Sequence, residues 1–337
     1  MPLIVVANLA VGKTWANAAT WITGGFAAWG IVASSAYDMA TLFATGNVAQ
    51  DRFAVDAGSI VSGVAAAGFL FKPIRKDVAA YLPIDPDNPV HALALVLAVI
   101  LFGTQATALF FTDVLSTYMT QAPQTLAGTF LDELPLLLLA LAGVGLFIRR
   151  PIADAAGRLG LVRPAWWQLM LAVAAAGVFL AVLQGSDAAN HVLLPDLAGR
   201  VDATDQHLFG DLAGTNWIGI AVLGLLPGVC EDLLFRGALQ PRLGLVPTAL
   251  LFTCIHSQYG LSIDLAGVFV IAVTLGLIRK YTNTTTSMSA HIAYNLLAGI
   301  GLAGTVLYVG VAVEVALLAA AAYGIWRVRR QASGVTP

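Results

Sequence analysis

Charge is the first thing this sequence lacks. Of 337 residues only 11% are Asp, Glu, Lys or Arg, where a soluble domain carries about a quarter. The few charges nearly cancel, to a net of −2. No basic patch is present, which excludes a nucleic-acid partner. Cysteine is almost absent. Cys230 and Cys254 both fall inside apolar segments, so there is no disulfide framework and no metal-type spacing. The N-terminus MPLIVVANLAVGKTW lacks a basic flank, a short apolar run and a cleavage site in that order, and does not read as a secretory signal peptide. Internal repeats, low-complexity tracts and a soluble domain are also missing.

What remains is apolar. The chain is 58% hydrophobic, with a mean hydropathy of +0.82. That composition implies an all-α, polytopic integral membrane helix bundle. Candidate spans lie at about 18–45, 57–71, 89–111, 130–148, 166–184, 216–235, 246–259, 262–279, 286–304 and 306–326. The seventh is short and the sixth is interrupted, so the expectation is about 8–10 transmembrane helices. Lys and Arg cluster after alternate runs: Lys72, Arg75 and Lys76; Arg149, Arg150, Arg158 and Arg163; Arg236 and Arg242; Arg279 and Lys280; Arg327, Arg329 and Arg330. The intervening connections are poor in them; 112–129 has none and 185–215 only Arg200. By the positive-inside rule both termini are cytoplasmic, in a cell or inner membrane. Trp166, Trp167, Trp217 and Trp326 stand near run ends, as interfacial anchors do. Segment 149–167 reads as a basic surface helix or a plain loop, and PIDPDNP (83–89) as a turn-rich linker.

Ionisable residues inside a span are costly and face a bundle interior or a water-filled cavity. Asp132 and Glu133 open the fourth run, where acidic residues suit a helix N-terminus. Glu314 stands alone in the last run. His191 and His207, in the acidic outer connection, share no ligand spacing on one element. The C-terminal half differs: three apolar segments hold Glu231, Asp232, Arg236, His256, His291 and Asn295.

Helical spacing gives these residues geometry. Asp232 and Arg236 are four apart and can pair on one face. Glu231 is rotated about 100° from Asp232 and is free to face a cavity. Phe252 and His256 share a face, so the phenyl ring restrains the imidazole. His291 and Asn295 share another, where two N–H donors can hold an oxyanion, or simply bond a neighbouring helix. Counted from the basic end of each segment, Glu231, His256 and His291 lie roughly 8 to 14 Å deep. That depth suggests a cavity open laterally or to the cytoplasm. A carboxylate with a histidine can deprotonate water, and the donor pair can stabilise a tetrahedral intermediate; this is peptide hydrolysis. Two His and a Glu are also a zinc set, though no H-E-x-x-H helix is present.

The ordered motifs EDLLFR (231–236), FTCIH (252–256) and HIAYN (291–295) resemble E-[ED]-x-x-x-R, F-x-x-x-H and H-x-x-x-N of the CPBP family. These are the type II CAAX prenyl endopeptidases and bacteriocin-processing proteins, also called Abi. The flanks PGVCEDLLFRGALQPRL and TTTSMSAHIAYNLL match as well, so the resemblance covers about residues 215–300. It implies an intramembrane glutamate protease that requires no metal and no cofactor. Glu231 and His256 would activate water, His291 and Asn295 would form the oxyanion hole, and Asp232, Arg236 and Phe252 would support them. The departure is Asp232, where the family more often has a second Glu. The division expected is 1–160, N-terminal spans of unknown role, and 161–330, the protease core. The partners expected are the bilayer and a membrane-associated or lipidated peptide or protein. The alternatives are a non-catalytic scaffold or immunity-type peptide binder, a zinc metalloprotease and a proton-coupled transporter.

Overall fold

In a bilayer every backbone polar group needs an internal partner, and helices provide it. The computed structural model follows that rule: it is 83% helical, with no strands among the described residues. It describes residues 1–46, 49–301 and 305–332. In chain order the helices are α1 (Pro2–Ala10), α2 (Ala16–Thr45), α3 (Gln50–Ala67), α4 (Lys72–Val78), α5 (Pro89–Phe111), α6 (Val114–Met119), α7 (Leu126–Gly143) and α8 (Ile152–Leu159). Then come α9 (Trp166–Leu193), α10 (Pro195–Phe209), α11 (Trp217–Asp232), α12 (Gln240–Leu243), α13 (Leu245–Cys254), α14 (Ile263–Tyr281), α15 (Thr284–Ile300) and α16 (Thr305–Ala332).

Each of the ten apolar runs overlaps one of these helices, and residues 302–304, at the end of the ninth, lie outside the described residues. Among the described residues five stretches are long and apolar enough to cross a membrane: Gln50–Leu70, Pro89–Phe111, Leu126–Gly143, Trp166–Leu193 and Trp217–Leu243. The distance from the eight to ten expected lies in the remaining runs. Helix α13 has only ten residues, and α15 opens on Thr284, Thr285, Thr286 and Ser287. Helix α2 carries Asn17, Thr20, Thr23, Ser34, Ser35 and Asp38. Large apolar side chains such as Phe26, Phe110, Phe111 and Leu131 face outward, where lipid would cover them.

Between helices in lipid, close approach depends on small residues. Helix α9 buries Ala172, Ala174, Ala175 and Ala176, and Phe179 packs with Ile271, Leu275 and Ala290 of α14 and α15. A second core joins both halves of the chain. Leu95, Ala140 and Leu159 pack with Leu233, Phe235, Leu251, Phe252 and Val268.

Helix α7 starts earlier than the sequence suggests. Thr125 caps it, its hydroxyl accepting the Gly128 N–H at 3.0 Å. Glu133 is therefore two turns inside a span and buried, not at the helix start. Segment 149–167 contains the short helix α8, followed by a non-helical stretch up to α9.

Candidate active site

Helix α11 carries the first motif, and two features fix its course. Gly224 and Gly228 form a G-x-x-x-G face against α15. A Cβ at Gly228 would lie 2.5 Å from Ile292 Cγ1, and one at Gly224 2.5 Å from Leu296 Cδ2. Only glycine lets the helices come this close, and that closeness brings Glu231 to His291. Pro227 lies inside α11 and has no N–H to give the Leu223 carbonyl. The freed carbonyl faces Asn295, whose Nδ2 lies at 3.5 Å. Beyond Asp232 the helix widens into a π-turn over Leu233–Leu239, a device that often marks functional sites.

Asp232 is fully buried. Its Oδ1 accepts from Ser287 Oγ at 3.0 Å and pairs with Arg236 Nε at 3.2 Å. Its Oδ2 lies 3.0 Å from His291 Nδ1. These contacts hold Nδ1 as the donor and turn Nε2 of His291 toward Glu231, 3.9 Å from Oε2. That oxygen of Glu231 is buried with no hydrogen-bond partner. His291 thus sits between the two acidic neighbours, and both it and Asn295 line the same cavity.

His256 stands just beyond the end of α13, in a non-helical turn. Its Nδ1 lies 2.8 Å from the Phe252 carbonyl, which leaves Nε2 for the cavity. The Phe252 ring is the hub of the cluster. It lies 4.5 Å from the His256 ring and 5.8 Å from the His291 ring, and Arg236 Cζ stacks over it at 4.0 Å.

Glu231, His256, His291, Asn295 and Phe252 line one cavity of about 520 Å³. Asp232 and Arg236 lie behind its wall. The sequence reading passed over several lining residues. Glu133, on α7, faces the same cavity with Oε2 unpartnered. Tyr118 and Ser257, bonded to each other at 2.7 Å, tie the α6 connection to the turn that holds His256. The only signal for Glu133 was an acidic residue in an apolar run, and it was offset by the misplaced helix start.

The cavity runs toward Gln121, Gln124, Asp205 and Leu208. These belong to the two connections poor in Lys and Arg. The opposite end is closed by buried Leu159, Leu233 and Phe235, with Gly237 pressed against the Leu159 carbonyl. Depth counted along a helix does not tell which end of a cavity is plugged.

His191 and His207 lie on α9 and α10. His191 reaches Asp187 at 3.4 Å and Asp202 at 3.2 Å. This exposed trio is the one group with metal-suited spacing found among the described residues, and it is not part of the cavity wall.

Residues 213–297 match the family described as type II CAAX prenyl endopeptidase Rce1-like. No curated protein and no solved structure matches the chain. The matched segment holds Glu231, Asp232, Arg236, Phe252, His256, His291 and Asn295. Over residues 213–297 this integral membrane protein is similar to the type II CAAX prenyl endopeptidase Rce1-like family.

Proposed function

We propose that this protein hydrolyses a peptide bond of a membrane-associated or lipidated peptide or protein, using water activated by Glu231. The observation that carries the reading is the unpartnered Glu231 Oε2, facing the cavity 3.9 Å from His291 Nε2. Glu231 takes a proton from water held with His256. The water oxygen bonds the scissile carbonyl carbon, and the carbonyl electrons move onto oxygen. Asn295 and His291 lie beside that oxyanion. Glu231 passes this proton to His291 Nε2, 3.9 Å away, and the imidazolium, stabilised through Nδ1 by Asp232, donates to the oxyanion. The proton then passes to the amide nitrogen as the C–N bond breaks. In this reading Asp232 pairs with Arg236 and orients His291, so the Asp in place of Glu is compatible with activity. With cytoplasmic termini, the cavity opens to the non-cytoplasmic side, and substrate enters there or from the bilayer. Glu133 and its neighbours on α7 bring part of the N-terminal segment to the cavity wall.

The test is a comparison of membrane protein N-termini in cells making the native chain or Glu231→Gln at equal abundance. New termini found only with the native chain establish proteolysis and identify a substrate. Identical termini, with a phenotype still rescued by the variant, replace this reading with a non-catalytic scaffold.

A further inference from the structure

A second cavity, of about 480 Å³, lies at the opposite end of the molecule, between α5, the turn after α7, α8 and α12. Arg149, Arg150, Arg158 and Arg242 line it, against one acidic residue, Asp85. None of the four arginines has an acidic partner among the described residues. Arg149 Nε donates to Asn8 Oδ1 at 2.7 Å, Arg150 to the Val144 carbonyl, and Arg158 Nη1 to the Gly237 carbonyl at 3.3 Å. Arg242 Nε is buried with no partner. Neutral acceptors leave the charges uncompensated. Burial and mutual repulsion lower both Arg149 and Arg158 to about 10. His91, the remaining titratable group on the wall, accepts the Asp85 N–H at Nδ1 and adds no anion.

The rest of the wall is apolar. Leu93, Leu97 and Leu101 line it along α5, facing Leu139 and Leu251. Leu101 lies twelve residues beyond Pro89, roughly 18 Å down the helix. The cavity is thus cationic at its mouth and greasy in its depth, and free phosphate would use only the mouth. We propose that it binds an anionic phospholipid, the phosphate held by Arg149, Arg158 and Arg242 and an acyl chain laid along Leu97 and Leu101. Basic pockets at the cytoplasmic ends of spans are suited to such headgroups. Arg158 also bonds the π-turn at Gly237, so the bound lipid would brace the segment that carries Arg236. The proposal is independent of the proteolytic reading.

The full-length protein in neutral detergent is titrated with dioleoylphosphatidylglycerol, dioleoylphosphatidylcholine and inorganic phosphate, followed by native mass spectrometry and thermal unfolding. Phosphatidylglycerol is expected to bind one-to-one and raise Tm, and phosphatidylcholine to do neither. Arg158→Gln with Arg242→Gln should weaken the anionic lipid about thirty-fold. If that pair fails to fold, Leu97→Trp decides: it fills the apolar wall, keeps every arginine and should also weaken the lipid. Equal binding of the two lipids overturns the proposal, as does undiminished binding by the arginine variant. Stabilisation by inorganic phosphate equal to that by phosphatidylglycerol, untouched by Leu97→Trp, makes this a free-anion site and overturns the lipid assignment.

Discussion

His291 Nδ1 lies 3.0 Å from Asp232 Oδ2, and the other oxygen of the same carboxylate holds Arg236 and Ser287. One buried carboxylate thereby joins the end of α11, the π-turn and α15. It lies outside the wall of the cavity while fixing the imidazole that faces into it.

Breaking that junction from one side leaves a buried charge alone. Asp232→Asn strands Arg236, and losing one partner of a buried pair costs about 3–5 kcal/mol. Adding Arg236→Gln removes the stranded charge and should restore most of the Tm. Proteolysis should stay low in both variants, because His291 has lost its charged acceptor. Unchanged stability in Asp232→Asn would show that the pair does not hold the fold.

The glycine face of α11 sets the spacing of the site. Gly228→Val places methyl groups where Ile292 already stands. A shift of about 1 Å can cost on the order of a hundredfold in rate. Ile292→Ala in the same chain should recover part of the loss. No recovery, with the variant still folded, would place the effect outside the α11–α15 contact.

Asn295→Ala removes a donor beside the proposed oxyanion and should lower kcat about 10²–10³-fold with little change in KM. It also removes the contact to the Leu223 carbonyl that Pro227 leaves free. Pro227→Ala offers that carbonyl a backbone N–H instead, and serves as the control. A loss in Pro227→Ala equal to that in Asn295→Ala would assign Asn295 a helix-positioning role.

Sidedness can be read with a membrane-impermeant maleimide. Gln121→Cys, by the cavity, should label from outside intact cells, and Ala153→Cys, on α8, only after lysis. Both native cysteines are buried and give a low background. The reverse pattern would put the cavity in the cytoplasm and the arginines outside.

Activity in saturating EDTA should equal that without it, since Glu231 and the two histidines are expected to use water alone. Loss on chelation, restored by zinc, would favour the metalloprotease alternative.

The ten apolar runs were legible because they are set by local composition, and each overlaps a helix among the described residues. So was the pairing of Asp232 with Arg236, because four-residue spacing puts two side chains on one helix face; Phe252 also contacts His256 as expected, although His256 lies past the end of α13 and reaches the ring from a turn. Glu133 was missed because a cap at Thr125 moved the start of α7. The partner of His291 was missed because Asp232 reaches it from another helix, across a contact that only the paired glycines permit.

The sequence by itself determined the apolar helices and the titratable residues that are candidates for acid–base chemistry, since both follow from residue type and helical period. Which groups share a cavity, and which carboxylate lies outside its wall, were decided by the tertiary structure. Those depend on how closely α11, α13 and α15 approach one another and on α8 packing over the π-turn, and neither distance is encoded in the spacing along one helix.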